Sequence, residues 1–390
     1  MYKKIALPLL VFIVALGIFS IGYFFPKNSS PTSLISPFVS SEPTPRPLPL
    51  LEYTINNLTL RKYQPSTHFT LERELNPGQN LDFKTYLFTF TTLEKKMSGA
   101  INIPATEPPT GGFPVIVMLR GWAPVESYYS GMGTKNAAAE LAKNGFVTVA
   151  PDFFGYGESD PDFEDTWKGR FTKPINVIEL IKTLESNRTL ELPTNEPDAT
   201  DLLGSEVKIN PARLGIWAHS NGGQIALTTL EVLGQPIPTT LWAPVTAPFP
   251  YSVLFFSDEN PDEGKEARAW VALFEKDYDV FEFSLTQHLD RLNGPLLLHH
   301  GTADEAALFS WSEEFLTKVD QENERRLSRK KELKSLTATA SADVSQLEEE
   351  ELLEPIKVNF YKYPGSNHNL QPGWDVVVER DIAFFKKWLY

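Results

Sequence analysis

Six short apolar runs recur through this 390-residue chain, at 114–119, 146–150, 213–217, 239–243, 295–300 and 357–363. Each leads into a segment with helical spacing, such as 137–143, 175–184, 223–233 and 374–389. A run that is apolar without alternation must be covered on both faces. Strands of this kind alternating with helices therefore predict a doubly wound, mostly parallel α/β sheet. The segment before them reads differently. Short alternating stretches at 51–60, 67–75, 83–92 and 99–103, punctuated by Asn76-Pro77-Gly78 and by Glu94–Lys96, predict N-terminal antiparallel strands leading into the main sheet. With 42% hydrophobic residues the chain can fill a large core.

The amino terminus is set apart. Lys3 and Lys4 precede an uncharged apolar run of 21 residues, 5–25. At about 1.5 Å per residue that run reaches across a hydrocarbon core of about 30 Å, so residues 1–25 are expected to be a transmembrane signal anchor. A cleaved signal peptide is the competing reading, although its apolar part is usually shorter. Under either, the lysines stay cytoplasmic and the remainder is exported. Residues 26–50 are rich in proline and serine and read as a linker. Residues 51–104 form the expected β extension, and 105–390 the main domain. Within it, 247–292 is an aromatic and acidic stretch placed where a lid would grow. The charged insertion 318–354 is expected to be an exposed helical hairpin or a partly disordered insertion, with a solvated surface.

The net charge of −14 excludes nucleic acid as a partner, and the N-terminal helix is the one expected membrane contact. The chain has no cysteine, which removes disulfides, thiolate metal sites and a thiol nucleophile. No metal and no organic cofactor are implied.

The chemistry concentrates at Leu214-Gly215-Ile216-Trp217-Ala218-His219-Ser220-Asn221-Gly222-Gly223. An apolar strand runs into a serine flanked by small residues, and a helix begins at once. This is the pattern of a nucleophile elbow, with Ala218 standing where glycine is usual. A hydroxyl at such a turn needs a base to take its proton and a carboxylate to hold that base. In this architecture the chain order is serine, acid, histidine. Of six histidines, at 68, 219, 288, 299, 300 and 368, only His368 lies beyond a downstream strand-end acid. Asp304 ends the strand reading Leu296-Leu297-Leu298-His299-His300-Gly301-Thr302-Ala303, with Glu305 as the alternative. His299 and His300 are expected to pack or hydrogen-bond structurally. The oxyanion formed on a substrate carbonyl needs preset donors. The Asn221 N–H is one candidate, and the Trp122 N–H, in the loop Arg120-Gly121-Trp122, is the other. Arg120 either reaches the site or pairs with a carboxylate.

With these residues in place, the chain resembles the α/β-hydrolases. It is most similar to the catalytic domain of the prolyl oligopeptidase-like group and its dienelactone-hydrolase-like relatives. The likeness is carried by Leu119-Arg120-Gly121-Trp122, by Ala150-Pro151-Asp152-Phe153-Phe154-Gly155-Tyr156-Gly157-Glu158-Ser159, by the Ser220 elbow, and by His300-Gly301-Thr302-Ala303-Asp304 with Gly365-Ser366-Asn367-His368. The resemblance implies Ser220 as nucleophile, Asp304 as acid and His368 as base. Arg120 departs from the usual His-Gly or Tyr of the oxyanion loop. The peptidases of the group carry a β-propeller, for which 51–104 is too short. Hydrolysis of an ester or small peptide bond is the implied activity. The alternatives are an exopeptidase of the prolyl oligopeptidase type and a non-catalytic binding protein on the same scaffold.

Overall fold

The computed structural model describes residues 46–76, 82–193, 205–258, 260–337 and 354–390. The predicted anchor, most of the linker and the tip of the charged insertion lie outside them. Among the described residues, no helix is long and apolar enough to cross a membrane.

The body spans Pro49–Tyr390. Its strands are β1 (Phe69–Glu74), β2 (Phe83–Thr92), β3 (Lys95–Pro104), β4 (Phe113–Leu119), β5 (Val147–Pro151), β6 (Thr189–Glu191), β7 (Glu206–His219), β8 (Thr239–Trp242), β9 (Pro295–Gly301) and β10 (Lys357–Tyr363). Their order is β1-β2-β3-β5-β4-β7-β8-β9-β10, with β6 pairing onto the start of β7. β1, β2, β3 and β5 pair antiparallel in turn. From β5 to β10 every pairing along the path is parallel. Each of the six apolar runs is a strand of the parallel part; five are buried almost throughout, and the sixth, β10, is the partly exposed edge of the sheet.

The helices are α1 (Ile55–Leu60), α2 (Lys135–Lys143), α3 (Thr166–Phe171), α4 (Lys173–Ser186), α5 (Asn221–Leu233), α6 (Tyr251–Ser257), α7 (Lys265–Phe274), α8 (Phe309–Thr337) and α9 (Trp374–Leu389). They cover both faces of the sheet. Along β4, Val115, Val117 and Leu119 face a core shared with Leu180 of α4, Leu227 of α5 and Phe315 of α8. Ile116 and Met118 point the other way, against Leu141 of α2 and Phe385 of α9. Burial of both faces of one strand is what fixes β4 and β7 in the middle of the sheet.

Two expectations need correction. Residues 51–60 are helical, not a strand: a turn at Pro49–Tyr53 is followed by α1. The Thr54 hydroxyl caps α1 by accepting from the Asn57 N–H at 3.2 Å. Leu50, Tyr53, Ile55 and Leu58 then pack on Phe171, Phe249, Phe274 and Phe283. That aromatic cluster is also the core of 247–292, a segment of helices and short turns. Within the charged insertion, 318–337 belong to one continuous helix, α8, 338–353 lie outside the described residues, and the charges are not all solvated. Arg326 is buried, pairs with Glu322 at 2.9 Å, and donates to the carbonyls of Leu289, Asp290, Leu292 and Glu354 at 2.8–3.1 Å. A guanidinium that satisfies so many backbone acceptors pins α8 to the segment entering β9.

Candidate active site

β7 carries its apolar run through the centre of the sheet and stops at His219. Ser220 then takes φ 56° and ψ −122°, a conformation that disfavours any residue with a Cβ, and α5 starts at the next residue. The turn is held by its backbone. Ser220 N–H donates to the Trp242 carbonyl at 2.9 Å, and the Ser220 carbonyl accepts from Val245 at 3.0 Å and Gly223 at 2.9 Å. The small residues are required by contact. A Cβ on Gly222 would lie 2.1 Å from the Leu119 carbonyl oxygen, and one on Gly223 would lie 2.4 Å from the Pro244 Cβ. The strand-to-helix turn read from the sequence is therefore present, with its serine at the carboxyl end of a central strand.

Asp304 follows β9, and its carboxylate is fully buried among four donors. Its Oδ1 accepts from the Ala306 and Ala307 N–H groups, each at 2.9 Å, while its Oδ2 lies 3.1 Å from His300 Nε2 and 2.8 Å from His368 Nδ1. Burial pushes this carboxyl up, but the hydrogen bonds from His300 and His368, the His368 charge and the Ala307 amide outweigh it and hold the group well below the usual carboxylate range. Because a carboxylate only accepts, His368 Nδ1 carries the proton and Nε2 keeps its lone pair. The same logic fixes His300. Its Nε2 faces Asp304 and the Ala307 carbonyl at 2.9 Å, so Nδ1 accepts from the Ser312 hydroxyl at 2.7 Å.

His368 lies in the loop after β10, which crosses closely over Gly301. A Cβ there would meet the Ser366 carbonyl oxygen at 2.2 Å. His219, the residue before Ser220, ties this loop to the elbow. Its Nε2 donates to the His368 carbonyl at 3.0 Å, and the two imidazoles lie 4.7 Å apart. Burial, reinforced by the His368 charge, pushes His219 down to about 4, so it stays neutral through the physiological range. The structure thus brings Ser220, Asp304 and His368 to one rim of the sheet. The Ser220 hydroxyl has no hydrogen bond among the described residues. Such contacts are often long in a free enzyme and tighten around substrate.

The loop after β4 completes the rim. Asn221 is the first residue of α5, so its N–H has no acceptor within the helix and points from the positive end of the helix dipole. A Cβ on Gly121 would lie 2.8 Å from Ser220 Cβ and 3.3 Å from its Oγ, so the backbone leading to Trp122 passes against the serine. The Trp122 side chain is 78% exposed. Arg120 neither enters the site nor pairs with a carboxylate. It is buried, donates to the carbonyls of Gly121 and Asp152 at 2.8 Å each, and sits 4.6 Å and 4.1 Å from the ring centres of Tyr128 and Tyr156. Its task is to hold the Gly121 peptide. Gly121→Ala is expected to lower kcat/KM by about 10²–10³-fold, the scale of losing one preset oxyanion donor, and to lower Tm as well, because the new Cβ would meet Ser220 Cβ at 2.8 Å. Steady-state kinetics alongside thermal unfolding checks this.

His299 is structural, as its place within a strand suggests. Its Nε2 donates to Asp381 at 3.0 Å and its Nδ1 accepts from Tyr363 at 2.7 Å. Asp381 also accepts from the Trp242 indole at 2.7 Å, locking α9 to the sheet. His300 hydrogen-bonds structurally as expected, though to Asp304 itself, while sequence reasoning missed the positioning contacts of His219 and Arg120. The signals were there, in their adjacency to Ser220 and Gly121.

Residues 197–336 match the family model of the prolyl oligopeptidase family. No curated protein sequence matches the chain. Among solved structures, an acetyl xylan esterase from Paenibacillus sp. R4 is similar at 15% identity and TM-score 0.58, over 87% of this chain and 94% of that one. Acetyl xylan esterase 1 from Thermoanaerobacterium sp. JW/SL YS485 is similar at 16% identity and TM-score 0.53, over 87% and 95%. A protein assigned as a dipeptidyl aminopeptidase IV from Bacteroides ovatus is similar at 16% identity and TM-score 0.51, over 81% of this chain and 37% of that one. At these identities the structural likeness speaks for the fold. Together with the family match over 197–336, it gives this chain the α/β-hydrolase fold, with similarity to serine hydrolases of the prolyl oligopeptidase and dienelactone hydrolase type.

Proposed function

We propose that this protein is a serine esterase that cleaves small acyl esters through an acyl-enzyme. Ser220 Oγ attacks the carbonyl carbon while His368 Nε2 takes its proton. The resulting oxyanion is held by the N–H groups of Asn221 and Trp122. As the intermediate collapses, the ester C–O bond breaks and His368 returns the proton to the leaving alkoxide. Water, deprotonated by His368, then releases the acid and restores Ser220. Asp304 holds the His368 tautomer and stabilises its charged form. The observation that carries this reading is the Asp304–His368 pair at 2.8 Å, in a loop that His219 ties to the strained turn of Ser220. No step calls for a metal or organic cofactor. The apolar run 5–25 and the lysines before it support a body tethered outside the cytoplasm by that segment.

The prolyl oligopeptidase family match favours a second reading, cleavage of short peptides. The ester reading is preferred because the acetyl xylan esterases are spanned almost end to end, whereas the dipeptidyl aminopeptidase IV-type chain is spanned over 37%. p-Nitrophenyl acetate and butanoate, assayed beside aminoacyl-naphthylamides, separate the two. A kcat/KM at least 100-fold higher on the esters is expected, and a clear preference for the amides would overturn the ester assignment.

A further inference from the structure

Beside the elbow lies a small cavity whose charged lining groups are both cations. Arg170, at the end of α3, and Lys173, at the start of α4, share it with Asn221 and Gln224 on the first turn of α5, among apolar neighbours such as Ile55 and Phe171. Its volume is ≈ 40 Å³. One water needs about 10–15 Å³ measured this way, so the space suits a group of a few heavy atoms. Neither cation is neutralised. Arg170 donates only to neutral acceptors, Gln224 Oε1 at 2.6 Å and the Ser252 hydroxyl at 3.5 Å. Lys173 has no hydrogen bond or ion pair among the described residues. Burial pushes its ammonium down to about 8. Asp162 opposes this without reaching it as an ion pair, while Arg170 and Arg120 add to it. Burial likewise pushes Arg170 down to about 10.

Two partly desolvated like charges without a counter-ion are costly, and they are placed here in a chain of net charge −14, against the residue expected to hold the oxyanion. Such a pair is what a bound anion would relieve. We propose that this cavity is an anion subsite, and that the preferred substrate carries a carboxylate or similarly small anionic group beside its scissile ester. The proposal rests on Ser220 being the nucleophile. The anion belongs either to the acyl group or to the leaving alcohol, and the test separates these sources.

The test compares matched esters by pH-stat: monoethyl succinate against ethyl butanoate for the acyl side, and acetoxyacetate against propyl acetate for the alcohol side. In one pair, the anionic ester is expected to have a kcat/KM at least tenfold higher. Lys173→Gln should reduce that ratio by about tenfold to a hundredfold, the scale of one hydrogen bond to a charged group. The ratio should also fall as pH rises through about 8, and this dependence should vanish in the variant. Lys182→Gln, on the same helix but paired with Glu185 at 2.7 Å, should leave the ratio unchanged. Equal kcat/KM within both pairs, or a Lys173→Gln ratio equal to wild type, would overturn the subsite. Failure to turn over any of the four esters would instead count against the hydrolytic reading itself.

Discussion

Ser220→Ala is expected to lower kcat by about 10⁵–10⁶-fold while leaving the fold intact. The magnitude follows from removing a nucleophile whose partners act as a unit, since base and acid achieve little without the atom they serve. A second substitution separates chemistry from architecture. At φ 56° and ψ −122° any Cβ is strained, by about 1–3 kcal/mol. Ser220→Ala keeps that Cβ and should match wild type in stability. Ser220→Gly removes it and should raise the unfolding free energy by about 1 kcal/mol, though it is equally inactive. Denaturant unfolding of the two variants beside their kinetics reads both effects. If either variant kept more than about 1% of wild-type turnover, Ser220 would not be the attacking group.

Asp304→Asn is the second large effect, with kcat falling by about 10⁴-fold. The substitution preserves shape but replaces an acceptor with an amide, and every neighbour of this carboxylate is a donor. His368, His300 and the Ala306 and Ala307 N–H groups all point at it. To meet an amide NH₂, His368 would have to turn its proton to Nε2, the tautomer that cannot accept from Ser220. The stability effect has a defined sign. The carboxyl is held below its unfolded value of about 3.8, so its contribution is present above that pH and is lost as pH falls through the folded value. Asp304→Asn should therefore be destabilised at pH 7, and its deficit should shrink as the pH drops below about 4. A variant that retained wild-type kcat would exclude Asp304 as the orienting acid and turn attention to Glu305.

The parallel half of the sheet was legible because, for every strand but the edge strand β10, burial on both faces leaves a mark that needs no partner to interpret. All six apolar runs are strands, and α9 occupies 374–389 as read. The elbow was legible because close approach at a sharp strand-to-helix turn demands small residues, even though the groups approached, Leu119 and Pro244, lie elsewhere in the chain. Where the sequence misled, the deciding contacts were distant. Residues 51–60 alternate well enough to suggest a strand, yet Leu50, Tyr53, Ile55 and Leu58 are drawn onto Phe249, Phe274 and Phe283 more than 180 positions later. Arg326 looks like one surface charge among many until the carbonyls of 289–292 are placed around it. Arg120 and Lys173 look alike as isolated basic residues. One is stacked on tyrosine rings and donates to two carbonyls, the other is left without a counter-ion, and nothing along the chain distinguishes them.

The central claim is that one hydroxyl, at the elbow, is the activated one. Treating the folded body with a fluorophosphonate and mapping the adduct by peptide mass spectrometry tests it directly. The expected result is one phosphonyl group per chain, on the peptide containing Ser220, formed far more slowly in Asp304→Asn and absent in Ser220→Ala. An adduct on any other residue, or undiminished labelling of Ser220→Ala, would contradict the account.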